Sequence, residues 1–216
     1  RSLRDSVLWL EHPRLRAHER SHMSFPATSL RTVVLPRTSA LSNGLLIVGG
    51  VFFLAALAQI AIPVPGSPVP VTGQTLGVLL VGTTYGASLG FATFATYLLA
   101  GVAGAPVFAG ASYGIEKVVG ATGGYLVGML VATFLLGLLA QKRLDQNLAT
   151  ALPSMLLGTL TTFTFGLLWL HQFTGQSWSW TINAGLTPFI IGETLKIIIA
   201  GTSLPLLWRT VNRKRN

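Results

Sequence analysis

Only seven charged residues fall in the 171 positions from Thr38 to Trp208. So few charges over so great a length suit hydrocarbon far better than water. At 216 residues, 50% hydrophobic and 10% charged, the chain has room for about six helices at roughly 20 residues per crossing, and for no second folded domain. The expectation is an all-α integral membrane protein of six transmembrane helices with a partly re-entrant glycine-rich loop. Function is then to be sought in the few polar groups left inside.

The basic residues gather at the ends of this body. Arg31 and Arg37 precede it, and Arg209, Arg213, Lys214 and Arg215 follow it. The formal net charge of +9 is therefore carried by tails and one short loop, with no basic face interleaved with aromatics, which argues against nucleic acid as a partner. Three regions result: a basic tail over 1–37, a membrane domain over 38–208 and a basic tail over 209–216. Residues 1–22 mix Arg with Asp, Glu and three histidines and lack the continuous apolar run of a signal peptide. This segment is expected to be a solvated tail, with Met23 as the start of the native protein and His12, His18 and His22 as tail residues, not a metal cluster. Absence of cysteine excludes disulfides and thiolate metal sites.

Hydropathy divides the body into spans over 41–62, 75–85, 86–104, 123–141, 151–171 and 187–208. The first ends at IPVPGSPVPVTGQ, where Pro63, Pro65, Pro68 and Pro70 forbid helix and favour an extended loop. KRLDQN, after the fourth, is a strongly polar connection. With six spans, one side collects every Lys and Arg except Lys117 and Lys196, so the positive-inside rule places both termini in the cytoplasm of a cell whose plasma membrane holds the protein. The proline loop, the 105–122 loop and the 172–187 loop then face outward. Twenty-four glycines, concentrated in GVAGAPVFAGASYGIEKVVGATGGYLVG, allow the 105–122 loop to fold back into the bundle.

Two ionisable residues lie where charge is expensive. Glu193 and Lys196, in TPFIIGETLKIIIAG, are three apart and share one face near the outward end of the sixth helix. The positive end of the helix dipole supports the carboxylate. Such a pair is either an internal salt bridge or a binding pair; a carboxylate that accepts N–H and an ammonium that donates to carbonyl together complement a urea-like group. No GxxxxGK[ST] or HExxH occurs, so ATP hydrolysis must reside in another chain if transport is ATP-driven, and the chain reads as a non-enzyme without cofactor or metal. His171, near Trp169, Trp178 and Trp180, reads as interfacial.

Four segments, in order, carry a resemblance: IPVPGSPVPVTGQTL (Ile62 to Leu76), YLLAGVAGAPVFAG (Tyr97 to Gly110), GATGGYLVG (Gly120 to Gly128) and PFIIGETLK (Pro188 to Lys196). They resemble BioY, the biotin-binding S component of energy-coupling factor (ECF) transporters, over 41–208. The resemblance implies a six-helix membrane protein that captures biotin from outside and works with a transmembrane coupling protein and paired ATP-binding subunits. The chain departs from the family pattern in places. Glu193 stands where the family usually has Asp, Ala121 replaces a proline in PTGG, and Ser112 stands where some members place an arginine for the ligand carboxylate, with Lys117 as the substitute cation. Docking in S components is attributed to an AxxxA-like pattern in the first helix; here Ala55, Ala56, Ala58 and Ala61 form a small-residue patch without the strict four-residue repeat, and Ala55 and Ala58 are the expected docking residues.

Biotin's groups define what the pocket needs: a polar end for the ureido group, apolar walls for the rings and a donor at the mouth for the carboxylate. On this reading Glu193 accepts ureido N–H and Lys196 donates to the ureido oxygen. Tyr97, Tyr113 and Phe108 supply wall and hydroxyl, Lys117 sits at the mouth, and Gln74 packs the lid or touches ligand. An ion-coupled secondary carrier for a small carboxylate-bearing vitamin, using Glu193 as its protonatable group, and a purely structural membrane subunit are the alternatives.

Overall fold

The computed structural model describes residues 29–35 and 39–213. The expectations for His12, His18, His22, Met23, Arg37, Lys214 and Arg215 lie outside the described residues.

Local chemistry sets where each helix begins and ends. After a short helix α1 (Leu30–Val34), Ser39 and Ser42 form a reciprocal capping box that starts α2 (Ala40–Gln59). The prolines beyond Gln59 end it, and the chain turns through a two-stranded antiparallel hairpin, β1 (Ala61–Ile62) with β2 (Val71–Thr72). Helix α3 (Gln74–Tyr85) stops at Gly86, whose φ of 80° makes a one-residue corner into α4 (Ala87–Val102). The glycine-rich loop carries a 3-10 turn, Ala109–Ala111, and a short helix α5 (Ile115–Val119) before α6 (Gly123–Gln141). Asn147 caps α7 (Leu148–Thr174), which closes at Gly175 in the left-handed region. Helix α8 (Trp178–Gly185) and a 3-10 turn, Thr187–Phe189, lead into α9 (Ile190–Arg213).

Among the described residues, four segments are long and apolar enough to cross a membrane: α2, α6, α7 and the run from α8 through α9. Helices α3 and α4, with 12 and 16 residues, reach only about 18 and 24 Å, short of a hydrocarbon core of about 30 Å. Helix α3 is central, packed against α2, α4, α6 and α9, and most of its residues are buried. Residues 172–187, expected as a loop, contain α8; Ser177 caps it by accepting from Trp180 N, and Trp178 stacks on His171 with ring centroids 4.0 Å apart.

Glycines let these helices meet backbone to backbone. Added Cβ atoms would lie 2.7 Å from Thr133 O at Gly82, 2.7 Å from Thr162 O at Gly128 and 2.2 Å from Ala87 N at Gly137. In lipid, association rests on such close packing because solvent exclusion no longer drives apolar faces together. The outward surface is correspondingly apolar: Leu45, Phe52, Leu99, Leu168 and Ile191 are all exposed.

The ends of the bundle differ in chemistry. At one, Ser29, Gly86 and Gln141 come together, Arg31 bonds Asn43, and Trp208 Nε1 donates to Asp145 Oδ2 at 2.6 Å. At the other lie the hairpin, the 105–122 loop and the start of α9. Asp145, in the polar KRLDQN connection, is only 1% exposed, and burial pushes its carboxyl up to about 6 although Trp208 opposes the shift. A raised carboxyl binds its proton in the folded state at pH values where the unfolded chain has already lost it. The contribution of Asp145 to stability therefore falls as pH rises from about 4 to about 6. Thermal melts in detergent across this range are expected to show that slope in the native chain and to lose it in Asp145→Asn, which keeps an acceptor for Trp208.

Candidate functional site

A cavity of about 230 Å³ opens at the end of the bundle that carries the hairpin and the glycine-rich loop. Its size suits a compact ligand, toward the small end of ligand pockets. Pro68, Val69, Pro70 and Thr72 of the hairpin form one wall, and Gln74 and Thr75 open α3 beside them. The glycine-rich loop contributes Phe108, Ser112, Glu116 and Lys117, while Tyr125, Leu126 and Met129 of α6, Phe163 of α7 and Phe189 and Glu193 at the start of the last helix complete it.

The polar end is a compact network. Glu193, 6% exposed, lies in the first turn of α9, where the helix dipole favours a carboxylate. Its Oε1 accepts from Thr75 Oγ1 at 2.7 Å and from Lys196 Nζ at 2.6 Å. Lys196 Nζ also donates to Thr75 Oγ1 at 2.8 Å and to the Thr72 carbonyl at 2.6 Å, so its three N–H groups are all engaged. Glu193 Oε2 is buried and makes no hydrogen bond among the described residues. A buried carboxylate oxygen without a donor is costly, and a ligand N–H reaching it relieves that cost.

The apolar wall consists of three rings. Tyr125 meets Phe163 edge-on at 5.6 Å and stacks on Phe189 at 6.4 Å, and Phe163 meets Phe189 at 5.5 Å. Tyr125 Oη donates to Gly185 O at 2.7 Å, which fixes the ring and satisfies its buried hydroxyl. A flat, mostly apolar ligand can lie along these faces with its polar edge toward Glu193.

Of the residues expected at the site, Glu193, Gln74, Phe108 and Lys117 line the cavity. Lys117 is exposed at the rim, beside Glu116 and Ser112. Lys196 stands behind Glu193 with its donors engaged, so it supports the acceptor instead of presenting a donor of its own. Tyr97 is fully buried behind Phe108, at 5.5 Å between ring centroids. Its hydroxyl accepts from Gln74 Nε2 at 2.7 Å and donates to Val107 O at 3.0 Å, so it braces two walls without forming one. Tyr113 is 59% exposed and is not part of the cavity lining. Ala58, expected on a docking face, is 0% exposed because its face of α2 packs into the bundle, whereas Ala55 is half-buried and Ala56 exposed.

Thr75, Tyr125 and Phe189 escape a search for residues charged at neutral pH, although each lies inside a motif quoted above, in VTGQTL, GGYLVG and PFIIGETLK. Phe163, one of eleven phenylalanines, carries no signal in the sequence. The GxSxG pattern of nucleophile elbows occurs as GASLG and GASYG. Neither follows a β-strand, the context on which an elbow depends: Ser88 lies in the first turn of α4, and Ser112 Oγ donates to Ala109 O at 2.8 Å.

The chain is similar to known proteins of one family. The chain is 39% identical over 157 residues to the biotin transporter BioY2 of Lactococcus lactis subsp. cremoris (strain MG1363), covering 71% of this chain and 83% of that one. It is 34% identical over 155 residues to the biotin transporter BioY of Thermotoga maritima, covering 72% and 90%. The crystal structure of the S-component for biotin from an ECF-type ABC transporter has the same fold, with a TM-score of 0.71 at 24% identity over 80% of this chain and 95% of that one. The BioY family model matches residues 28–213, and the chain accordingly belongs to the BioY family.

Proposed function

We propose that this chain is the biotin-binding S component of an ECF-type uptake transporter, and that it captures biotin at the outer face for import powered by separate ATP-binding subunits. The observation that carries this reading is Glu193 Oε2, a buried acceptor with no donor among the described residues, on the wall of a compact cavity. A ureido N–H donates to that oxygen. The ureido carbonyl takes the second N–H of Gln74, whose first goes to Tyr97. The fused rings lie along Tyr125, Phe163 and Phe189, and the carboxylate points out toward Lys117 at the rim.

Topology follows the same reading. The chain makes six crossings of the plasma membrane with both termini in the cytoplasm, by α2, α6, α7 and α9 and by the shorter α3 and α4 together with the hairpin and loop segments that extend them, and the 105–122 loop folds back as a re-entrant cover. The clustering of Ser29, Gly86, Gln141, Asp145 and Trp208 at one end of the bundle supports this arrangement, because the basic residues Arg31, Lys142, Arg143 and Arg209 adjoin that cluster in sequence. The tails over 1–37 and 209–216 flank a single membrane domain over 38–208, and the outward face of α2 meets the coupling protein. Reporters after Asn216 or near Gln146 are expected to be cytoplasmic, and reporters near Ser67 or Ser179 external. External labelling of a cysteine placed at Gln146 in intact cells excludes this topology.

The binding role of Glu193 separates from a purely structural one by a double substitution. Glu193→Gln is expected to weaken equilibrium binding of labelled biotin by ten- to a hundredfold, on the order of 1.5–3 kcal/mol for a charge-assisted hydrogen bond. Glu193→Gln with Lys196→Met removes the buried charges together, so the protein stays folded in detergent and still fails to bind. Near-native affinity in that folded double variant contradicts direct contact.

Lys117 governs the other end of the ligand. Lys117→Gln is expected to lower affinity for biotin by about two- to fivefold, the size of an exposed ion pair. The effect fades at high salt and is absent for the methyl ester of biotin; an equal loss for the ester counts against a carboxylate contact. Vesicle uptake distinguishes the ion-coupled carrier: transport without any ATPase favours it, whereas transport that requires added ATPase and coupling subunits favours the S component.

A further inference from the structure

The glycine-rich loop holds its cavity wall through an unusual turn. Gly110 and Ala111 are both left-handed, with φ of 66° and 54°, a region an alanine enters at a steric cost. Within the turn, Phe108 N donates to Ser112 O at 3.0 Å and Ser112 Oγ to Ala109 O at 2.8 Å. Two further bonds come from the last residue of α2. Gln59 Oε1 accepts from Ala111 N at 2.8 Å, and Gln59 Nε2 donates to Phe108 O at 3.2 Å while also donating to Ala55 O at 3.0 Å.

A single amide side chain thus ties both ends of the turn to a distant helix. Phe108 is the wall residue this arrangement places: its ring rests on Gly101, where an added Cβ would lie 2.1 Å away, and meets Tyr97 edge-on. Tyr97 in turn holds Val107 O. Gln59 itself is exposed and lies outside the cavity lining. Without its amide, the Ala111 N–H and the Phe108 carbonyl lose these bonds, and the left-handed turn loses its support from α2.

We propose that Gln59 is a positioning residue that clamps the 108–112 turn to the end of α2, keeps Phe108 on the cavity, and thereby sets how fast ligand leaves. This rests on the cavity being the ligand site. The exposed face of α2, with Leu45, Val48 and Phe52, then has a route to the cavity, since displacement of the helix end pulls on the turn through Gln59.

The test uses the purified full chain in detergent, with release of labelled biotin after a chase and amide exchange over residues 105–114 without ligand. Gln59→Leu is expected to release biotin about tenfold faster, the size of one to two lost hydrogen bonds, with association within about twofold of native and an unchanged melting temperature. Exchange over 105–114 rises in step. Gln59→Glu keeps the acceptor for Ala111 N but not the donor to Phe108 O, so its release rate falls between the two. Native release and native exchange in Gln59→Leu overturn the proposal, as does a variant whose association, release and melting temperature all deteriorate together. If the native chain does not bind biotin, the ligand reading and the retention role fall with it; the exchange data then decide the clamp alone, and unchanged exchange overturns that too.

Discussion

A buried carboxylate in a largely apolar helical bundle is the constraint from which the rest of this site follows. Glu193, buried at 6% exposure, requires donors, and the fold supplies them from two elements: Lys196 three residues along its own helix, and Thr75 at the start of α3. Lys196 then reaches the Thr72 carbonyl, so the same ammonium that neutralises Glu193 also anchors the base of the proline hairpin. Breaking such a pair from one side leaves an uncompensated buried charge, which costs far more than the pair contributes. One carboxylate oxygen nevertheless stays without a donor among the described residues, so the network leaves an acceptor on the cavity wall.

From this network a chain of hydrogen bonds runs part of the way around the cavity. Thr72 Oγ1 donates to Gln74 Oε1, Gln74 Nε2 to Tyr97 Oη, and Tyr97 Oη to Val107 O, next to Phe108. Each member satisfies its neighbour, which is what lets polar groups sit in a low-dielectric interior without penalty and gives the walls a defined position. Hairpin, α3, α4 and glycine-rich loop are thereby held in one register around the pocket. Burial alone, which is non-directional, does not specify such a register.

Close helix packing fixes the depth of the site. Glycines at 124 and 128 bring α6 against α7, and Gly82 and Gly137 bring it against α3 and the corner at Gly86. A scaffold whose backbones touch has little freedom to absorb a misplaced side chain, so Tyr125 and Phe163 meet edge-on with Phe189 beside them as a rigid aromatic face. Apolar side chains point outward around this scaffold, as a lipid-facing surface requires.

Much was legible in the sequence because the physics behind it is local or compositional. Scarcity of charge identified the membrane class, proline and glycine marked where helices stop, the bounds 123–141 were read directly, and the i, i+3 spacing placed Glu193 and Lys196 on one face. Ordered motifs pointed to the BioY family. What the sequence left open was the direction of each side chain, which depends on partners from other elements, up to 124 residues away. Only the tertiary structure engages Lys196 fully with Thr72, Thr75 and Glu193, leaves Tyr113 exposed, places Tyr97 behind the wall, buries Ala58 inside the bundle and brings Asp145 to Trp208. Residue type determines what a group can donate or accept; the fold determines which donors have already been taken.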